Sequence, residues 1–310
     1  MNSVKIVTVG DVVADIMTSF SHFPIQEGDF TAADQLYLDA GGNANFLIAA
    51  ARLGVETLAL GSIGDDFWGR QVLEILQQEN IITDFISIAG TTTVVQVLID
   101  NSGGHAFVGN YGTGPELVFE EKSRKAIQGA DALFCSGYSF AEQRMKAFSL
   151  ASLAFAKGKG AATYFDAGPA CFDLEEDLKA EIFEFVDVLL VTEEEIPAVT
   201  GGEINDIFEL GPKVVVLKKG AEGCQVYLGN GKSITKPGFP VDVVDTTAAG
   251  DSFAAAFITA RCRDWDWDKC AVFANAMGAA KVKKMGGGRN VPTLDEIRKV
   301  LSKFEVNLMV

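Results

Sequence analysis

Apolar and polar positions along the chain follow two rhythms. Residues Val4 to Val9 form an unbroken apolar, β-rich run that stops at Gly10, as a buried parallel strand does on entering a turn. From Asn43 to Leu53 the chain reads NANFLIAAARL, a small-residue helix closed by Gly54; a short strand, Thr57 to Leu60, and a helix, Phe67 to Gln78, follow. Between about Thr92 and Val108 the rhythm changes. TTVVQVLID, a turn at Asn101-Ser102-Gly103-Gly104, and then HAFV predict a β-hairpin, which with Ile16 to Leu38 could form a small sheet apart from the main body. After Glu120 the alternation of strands and helices returns, with strands Ala132 to Cys135, Ala162 to Phe165, Val188 to Val191 and Val214 to Leu217. A second hairpin, Cys224 to Thr235, precedes helices from about Ser252, Asp268 and Thr293. The pattern predicts an α/β fold: a doubly wound, mostly parallel sheet flanked by helices, with a small β-sheet lid built from about 12–40 and 90–113, all in one domain spanning 1–310. Such sheets bind ligands at the carboxyl ends of their strands.

Composition narrows the partners. With 48% hydrophobic and 22% charged residues, a chain of 310 residues can bury a sizeable core. The 26 basic and 42 acidic residues give a net charge of −16, which argues against nucleic acid and anionic membranes, because both need a cationic face. Five scattered cysteines without a Cys-x-x-Cys pair suggest neither a disulfide framework nor a zinc site, and fit a reducing cytoplasm. The first apolar run is too short for a signal peptide, and nothing approaches about 18 uninterrupted apolar residues, so a soluble, unprocessed protein is expected.

The stretch Asp245-Thr246-Thr247-Ala248-Ala249-Gly250-Asp251-Ser252-Phe253 lies between a strand-like run, Val241 to Val244, and a helix-like run from Ala254. Small residues at a helix start let backbone N–H groups converge on an anion, where the helix dipole also favours negative charge. Asp251 beside such a nest could accept the hydroxyl proton in phosphoryl transfer to an alcohol. By residue type alone, a plain helix N-cap at Asp251 or Ser252 is the favoured reading, but it leaves the run of small residues unexplained. No G-x-x-x-x-G-K-[ST] occurs in the chain, so a P-loop is not in use.

These residues closely resemble the C-terminal signature of the ribokinase-like (PfkB) carbohydrate kinases, commonly D-T-x-G-A-G-D. The N-terminal signature of that family is matched by Ala40-Gly41-Gly42-Asn43-Ala44-Asn45 through Ala51-Arg52-Leu53-Gly54. Further matches follow in family order: Gly10 with Asp15, Gly64 to Gly69, Asp166, Glu193-Glu194-Glu195 before Thr200-Gly201, Gly220 to Gly223, and Asn275 with Gly286 to Pro292. The resemblance spans essentially the whole chain. It implies ATP-dependent transfer of the γ-phosphoryl group to a hydroxymethyl group of a sugar or similar alcohol. On it, Asp251 is the base and the amides of Ala248, Ala249 and Gly250 form the anion hole. Asp15, Gly41, Gly42 and Asn45 bind the acceptor, with side chains that can pair with hydroxyls and glycines that permit close approach. Lys218, Gly220, Gly223 and Asn275 serve the nucleotide, and Glu195 serves Mg²⁺ through its waters. A K⁺ site could be provided by Asp245 and Thr247 with carbonyls near Ala280 and Gly286. In several relatives such lids pair between subunits, so a homodimer is plausible.

The chain departs from the family pattern in three places. Thr192 replaces the Asn that accompanies Glu195, Ala248 replaces the first glycine of G-A-G-D, and Ala40 replaces the first glycine of the N-terminal signature. Residues 1–120, which would supply nearly all acceptor contacts, contain only three basic residues, Lys5, Arg52 and Arg70, against fifteen Asp and Glu. A phosphorylated or carboxylated substrate normally meets Arg or Lys, so a neutral sugar is expected, with Tyr111 and Phe107 able to stack on or cover its ring. A nucleoside kinase of the same family and a catalytically weak sugar-binding regulator are the alternatives.

Overall fold

The computed structural model describes residues 4–28 and 30–308. Both ends of the expected 1–310 domain, and position 29 within the expected lid, lie outside the described residues.

In chain order the strands are β1 (Lys5–Val9), β2 (Val12–Phe20), β3 (Ala33–Gly42), β4 (Glu56–Leu60), β5 (Ser62–Ile63), β6 (Ser87–Ile88), β7 (Val94–Asp100), β8 (His105–Asn110), β9 (Ala132–Ser136), β10 (Ala162–Asp166), β11 (Val188–Thr192), β12 (Val214–Lys218), β13 (Cys224–Leu228) and β14 (Ser233–Lys236). The α-helices are α1 (Asn43–Arg52), α2 (Phe67–Gln78), α3 (Glu121–Ile127), α4 (Gln143–Gly158), α5 (Glu176–Glu184), α6 (Ile196–Thr200), α7 (Ala249–Cys262), α8 (Trp267–Lys281) and α9 (Leu294–Lys303).

Eight strands form the main sheet in the order β14-β13-β12-β11-β10-β9-β1-β4. Pairing is parallel from β4 to β12 and antiparallel for the last two strands. Side chains alternate between its faces, as strand geometry requires. Ile6, Phe134, Leu190 and Val216 point to the layer holding α1, α7 and α8, while Val7, Leu133, Leu189, Val215 and Leu217 meet α3, α4 and α5. Both faces are therefore covered, which explains the near-continuous apolar strands.

Strand β1 has β4 on one side and β9 on the other, so the order of connection reverses between β1 and β9. That reversal opens a crevice at the carboxyl ends of the strands. Above it lies a separate four-stranded sheet, β3-β2-β7-β8, with Met17, Val97 and Ile99 packed on Tyr37, Val95 and Met285.

Two local expectations fail beside the site. Val241 to Val244 is an irregular segment that bends at Val244, not a strand: the N–H groups of Val244 and Asp245 both donate to the Val282 carbonyl, and no sheet neighbour among the described residues pairs with it. Helix α7 starts at Ala249, so Asp251 already lies in its first turn instead of ahead of a helix beginning at Ser252 or Ala254. Ala248 is the N-cap, without a side-chain cap bond, and so neither Asp251 nor Ser252 caps the helix.

Candidate active site

Asp245 anchors the loop that enters α7. Its carboxylate accepts from the Thr247 N–H at 3.0 Å, the Thr247 hydroxyl at 2.9 Å and the Gly286 N–H at 2.6 Å. The loop then turns through Ala248, whose φ of 60° and ψ of 15° lie in the left-handed region. This turn directs the first α7 amides outward. The Ala249 N–H donates back to the Thr246 carbonyl at 3.0 Å and is thereby removed from the expected anion hole. The amides of Ala248, Gly250 and Asp251 have no acceptor among the described residues. These are the donors a helix start leaves for an anion.

Asp251 is half-buried beside this group. Desolvation, reinforced by the Asp166 carboxylate, pushes its pKa up to about 6, while Lys218 and a hydrogen bond from Asn45 pull it back. Asn45 also accepts the Gly288 N–H at 2.7 Å, which fixes its amide under the Gly286–Gly288 loop.

Across the crevice, Asp15 on β2 is 7% exposed and stands in register with Asp39 on β3. Burial, with Asp39 and Asp251 nearby, raises its pKa to about 7. A Cβ at Gly41 would lie 2.0 Å from an Asp15 carboxylate oxygen, so only glycine leaves room for that side chain. Gly42, with φ 57°, starts α1 in a conformation suited to glycine. The chain thus brings Asp15, Gly41, Asn45 and Asp251 to one place, with Gly42 setting the turn between strand and helix.

The carboxyl ends of β10, β11 and β12 supply a charged cluster. Lys218 Nζ lies 2.5 Å from Asp166 Oδ1, and its side chain is only 13% exposed, which excludes a simple surface charge. Burial opposes its charge, yet Asp166, Glu195 and Asp251 together hold the ammonium above the usual lysine range. A Cβ added at Gly250 would lie 3.7 Å from Lys218 Nζ, so this cation adjoins the open amides. Glu195 accepts the Thr192 N–H at 2.9 Å, and burial raises its pKa although Lys218 works in the opposite direction.

Gly220, Gly223 and Asn275 form a separate group. Gly220 has φ 52° and open space where a Cβ would be, whereas a Cβ at Gly223 would lie 2.2 Å from the Lys236 carbonyl. Asn275 gives its amide N–H groups to the Lys236 and Pro237 carbonyls at 3.1 and 3.0 Å. Both therefore shape the turn against α8, and Gly220 alone of the three is bare toward solvent.

Several polar residues here escaped the sequence reasoning. Asp39 accepts the Ala40 and Arg289 N–H groups. Tyr138, after β9, is electrostatically coupled to Tyr111, Asp251 and Glu195, and burial raises its pKa. Arg144 bonds Ser62 at 2.6 Å and pairs with Asp11 and Glu142. Burial lifts Asp11 to about 6 despite that arginine. Arginines from outside residues 1–120 thus reach that segment, Arg144 at Asp11, Arg289 at Asp39 and Arg263 at the Leu53 carbonyl, which a count along the chain could not register. Only pairing in register marked Asp39, and only its place after a strand end marked Tyr138.

Among the described residues no group of three or more His, Cys, Asp or Glu could hold a metal by itself. Magnesium is compatible with this, because it keeps several waters and takes one or two carboxylates with substrate phosphates. Glu195 and Asp166 are carboxylates of that kind.

The family model described as pfkB family carbohydrate kinase matches residues 4–294. The ATP-dependent ribose-1-phosphate kinase of Halopiger xanaduensis is 30% identical over 303 residues, covering 97% of this chain and 99% of that protein. The ribokinase of Mus musculus is 28% identical, covering 93% and 91%. In three dimensions, the Arabidopsis thaliana ribokinase complexed with ribose and ATP superposes with a TM-score of 0.82 at 24% identity, covering 97% of this chain and 99% of that one. A putative ribokinase II from E. coli gives 0.85, again at 24% identity and with the same coverage. At these identities the two structures speak for the fold.

Proposed function

Because this chain belongs to the pfkB family of carbohydrate kinases and is an ATP-dependent phosphotransferase, we propose that it phosphorylates a hydroxymethyl group of a neutral sugar, with Asp251 as general base. One observation carries the proposal. Asp251, raised to about 6, stands between the Asp15–Gly41 wall and a cationic, amide-lined hollow formed by Lys218 and the first turn of α7. A base with a pKa near the working pH is well matched to accepting a hydroxyl proton.

Asp15 and Asn45 hold acceptor hydroxyls, and Gly41 and Gly42 let the ring approach. As the alcohol oxygen attacks the γ-phosphorus, its proton passes to the Asp251 carboxylate and the bond to the leaving ADP oxygen breaks. The amides of Ala248, Gly250 and Asp251, with Lys218, face the charge carried by the transferred group. Asp166 keeps Lys218 in place. Magnesium would be held by ATP phosphates and, through water, by Glu195, and would neutralise phosphate charge. The nucleotide lies along Gly220, while Gly223 and Asn275 hold the turn that receives it.

The small sheet acts as a lid, built from about 12–40 and 90–113 of a single domain, whose closure excludes water as a competing acceptor. Its outer face exposes Leu36 at 68% and Val108 at 64%, supporting a homodimer through the lids. No helix among the described residues is long and apolar enough to cross a membrane. All five cysteines are free, which suits the reducing cytoplasm assigned to the protein in this proposal.

Neutrality of the acceptor is supported by the pairing of the incoming arginines: Arg144 with Asp11 and Glu142, and Arg289 with Asp39. A phosphorylated sugar is the second possibility, favoured by Arg289, whose side chain is 46% exposed, and by the ribose-1-phosphate kinase relative. ADP release from Mg·ATP separates them across ribose, fructose, adenosine, inosine, ribose 1-phosphate and fructose 6-phosphate. The largest kcat/KM is expected on an unphosphorylated sugar, and Asp251→Asn should lose about 10²–10⁴-fold. A preference for a sugar phosphate overturns the neutral acceptor, and full activity in Asp251→Asn overturns the base.

A further inference from the structure

Lys281, the last residue of α8, is 0% exposed, a rare situation for a lysine. Its ammonium donates to the Lys284 carbonyl at 2.9 Å, the one acceptor it contacts among the described residues. The segment it caps folds over Asp245. Val282 takes the N–H groups of Val244 and Asp245, the Lys281 carbonyl takes the Lys284 N–H, and Gly286 donates to Asp245. Asp245 in turn sets Thr247, one residue ahead of the left-handed Ala248 that aims the anion-hole amides.

This neighbourhood suits a mobile monovalent cation poorly. Such an ion needs several oxygens with lone pairs turned toward it, yet Asp245 already accepts three hydrogen bonds, the Val282 carbonyl spends both lone pairs on N–H donors, and the carbonyls of Lys281 and Lys284 accept one each. It would also have to share the space with an ammonium. We infer that the Lys281 ammonium is the resident cation of the anion-hole loop, balancing Asp245 and bracing residues 245–248, so that the protein works without K⁺ or any other monovalent ion. The placement at a helix C-terminus also favours positive charge. Burial lowers the Lys281 pKa to about 8 while Asp245 draws it up, so the side chain remains mostly protonated at neutral pH.

The test compares KCl, NaCl and choline chloride at equal ionic strength, using thermal unfolding and ADP release. Thermal unfolding needs no acceptor and therefore stands whether or not the sugar-kinase proposal does. For the natural chain, the melting temperature and turnover should not change among the three salts. Lys281→Met in choline chloride should melt lower and turn over about tenfold more slowly or worse. KCl should restore both, because the vacated, negatively charged cage can then take an ion. Lys281→Arg, which keeps the charge, should remain indifferent to the salt. Severalfold activation of the natural chain by K⁺ would overturn the inference. So would a Lys281→Met variant that is unaffected in choline chloride, or one whose losses K⁺ leaves unrepaired.

Discussion

Asp251 shows how a single carboxylate is tuned by what surrounds it. Burial raises its pKa, Asp166 adds to the rise, and Lys218 opposes it. In its proposed role as base Asp251 must be ionised to act, so kcat/KM of the free enzyme should fall as pH drops through about 6. Removing the cation in Lys218→Met should move this acid limb to higher pH, and removing the neighbouring negative charge in Asp166→Asn should move it lower. A limb that stays fixed in both variants would show that another group titrates there. Ala248 illustrates a different kind of tuning. Its left-handed φ costs about 1–2 kcal/mol for a residue with a Cβ, a strain that Gly at this position would avoid. Gly287 faces the methyl group, but a Cβ there would meet it only in ordinary contact at 3.4 Å and would instead collide with the Asn45 amide oxygen at 2.5 Å.

At the level of elements, the junction from β3 to α1 carries the wall proposed to meet the acceptor. Two successive glycines let the strand end against Asp15 and turn at once into a helix. Gly41→Ala should therefore displace the Asp15 carboxylate. Misplacing a positioning group by about 1 Å can cost on the order of 10²-fold, so the acceptor KM should rise by about tenfold or more. The KM for ATP should remain unchanged, and steady-state kinetics with each substrate varied will show it; equal rises in both would point to a general loss of structure. The loop before α7 works differently, since its shape comes from a side-chain anchor at Asp245 and not from a strand ladder.

At the scale of the whole molecule, the reversal between β1 and β9 gathers residues from both ends of the chain over one crevice. The small sheet that covers it leaves an apolar outer face, with Leu36 and Val108 on the same side of the sheet and Phe67 on α2 also exposed. If that face joins two copies, the natural chain should sediment as a dimer. Leu36→Glu with Val108→Glu should sediment as a monomer that keeps its fold by circular dichroism. A natural chain that is monomeric at all concentrations would rule the lid dimer out.

Much of this was legible in the sequence because it depends on local rules. Buried parallel strands announce themselves as apolar runs, and helix α2 appears at Phe67–Gln78 as its spacing predicts. The ordered glycine and aspartate motifs marked Asp15, Gly41, Asn45 and Asp251 as candidates before any contact was known. Tertiary structure alone decided what those residues meet. Val241 to Val244 has the composition of a strand but found no sheet partner, and Ala249 has a backbone N–H like its neighbours yet spends it on Thr246. Arg144 and Arg289 lie far along the chain from Asp11 and Asp39, with which they pair, and Lys281 lies far from Asp245, whose field it feels; charge acts through space. Sequence spacing carries no record of such distances, so, unlike Lys218, these three cations became visible only once the chain was folded.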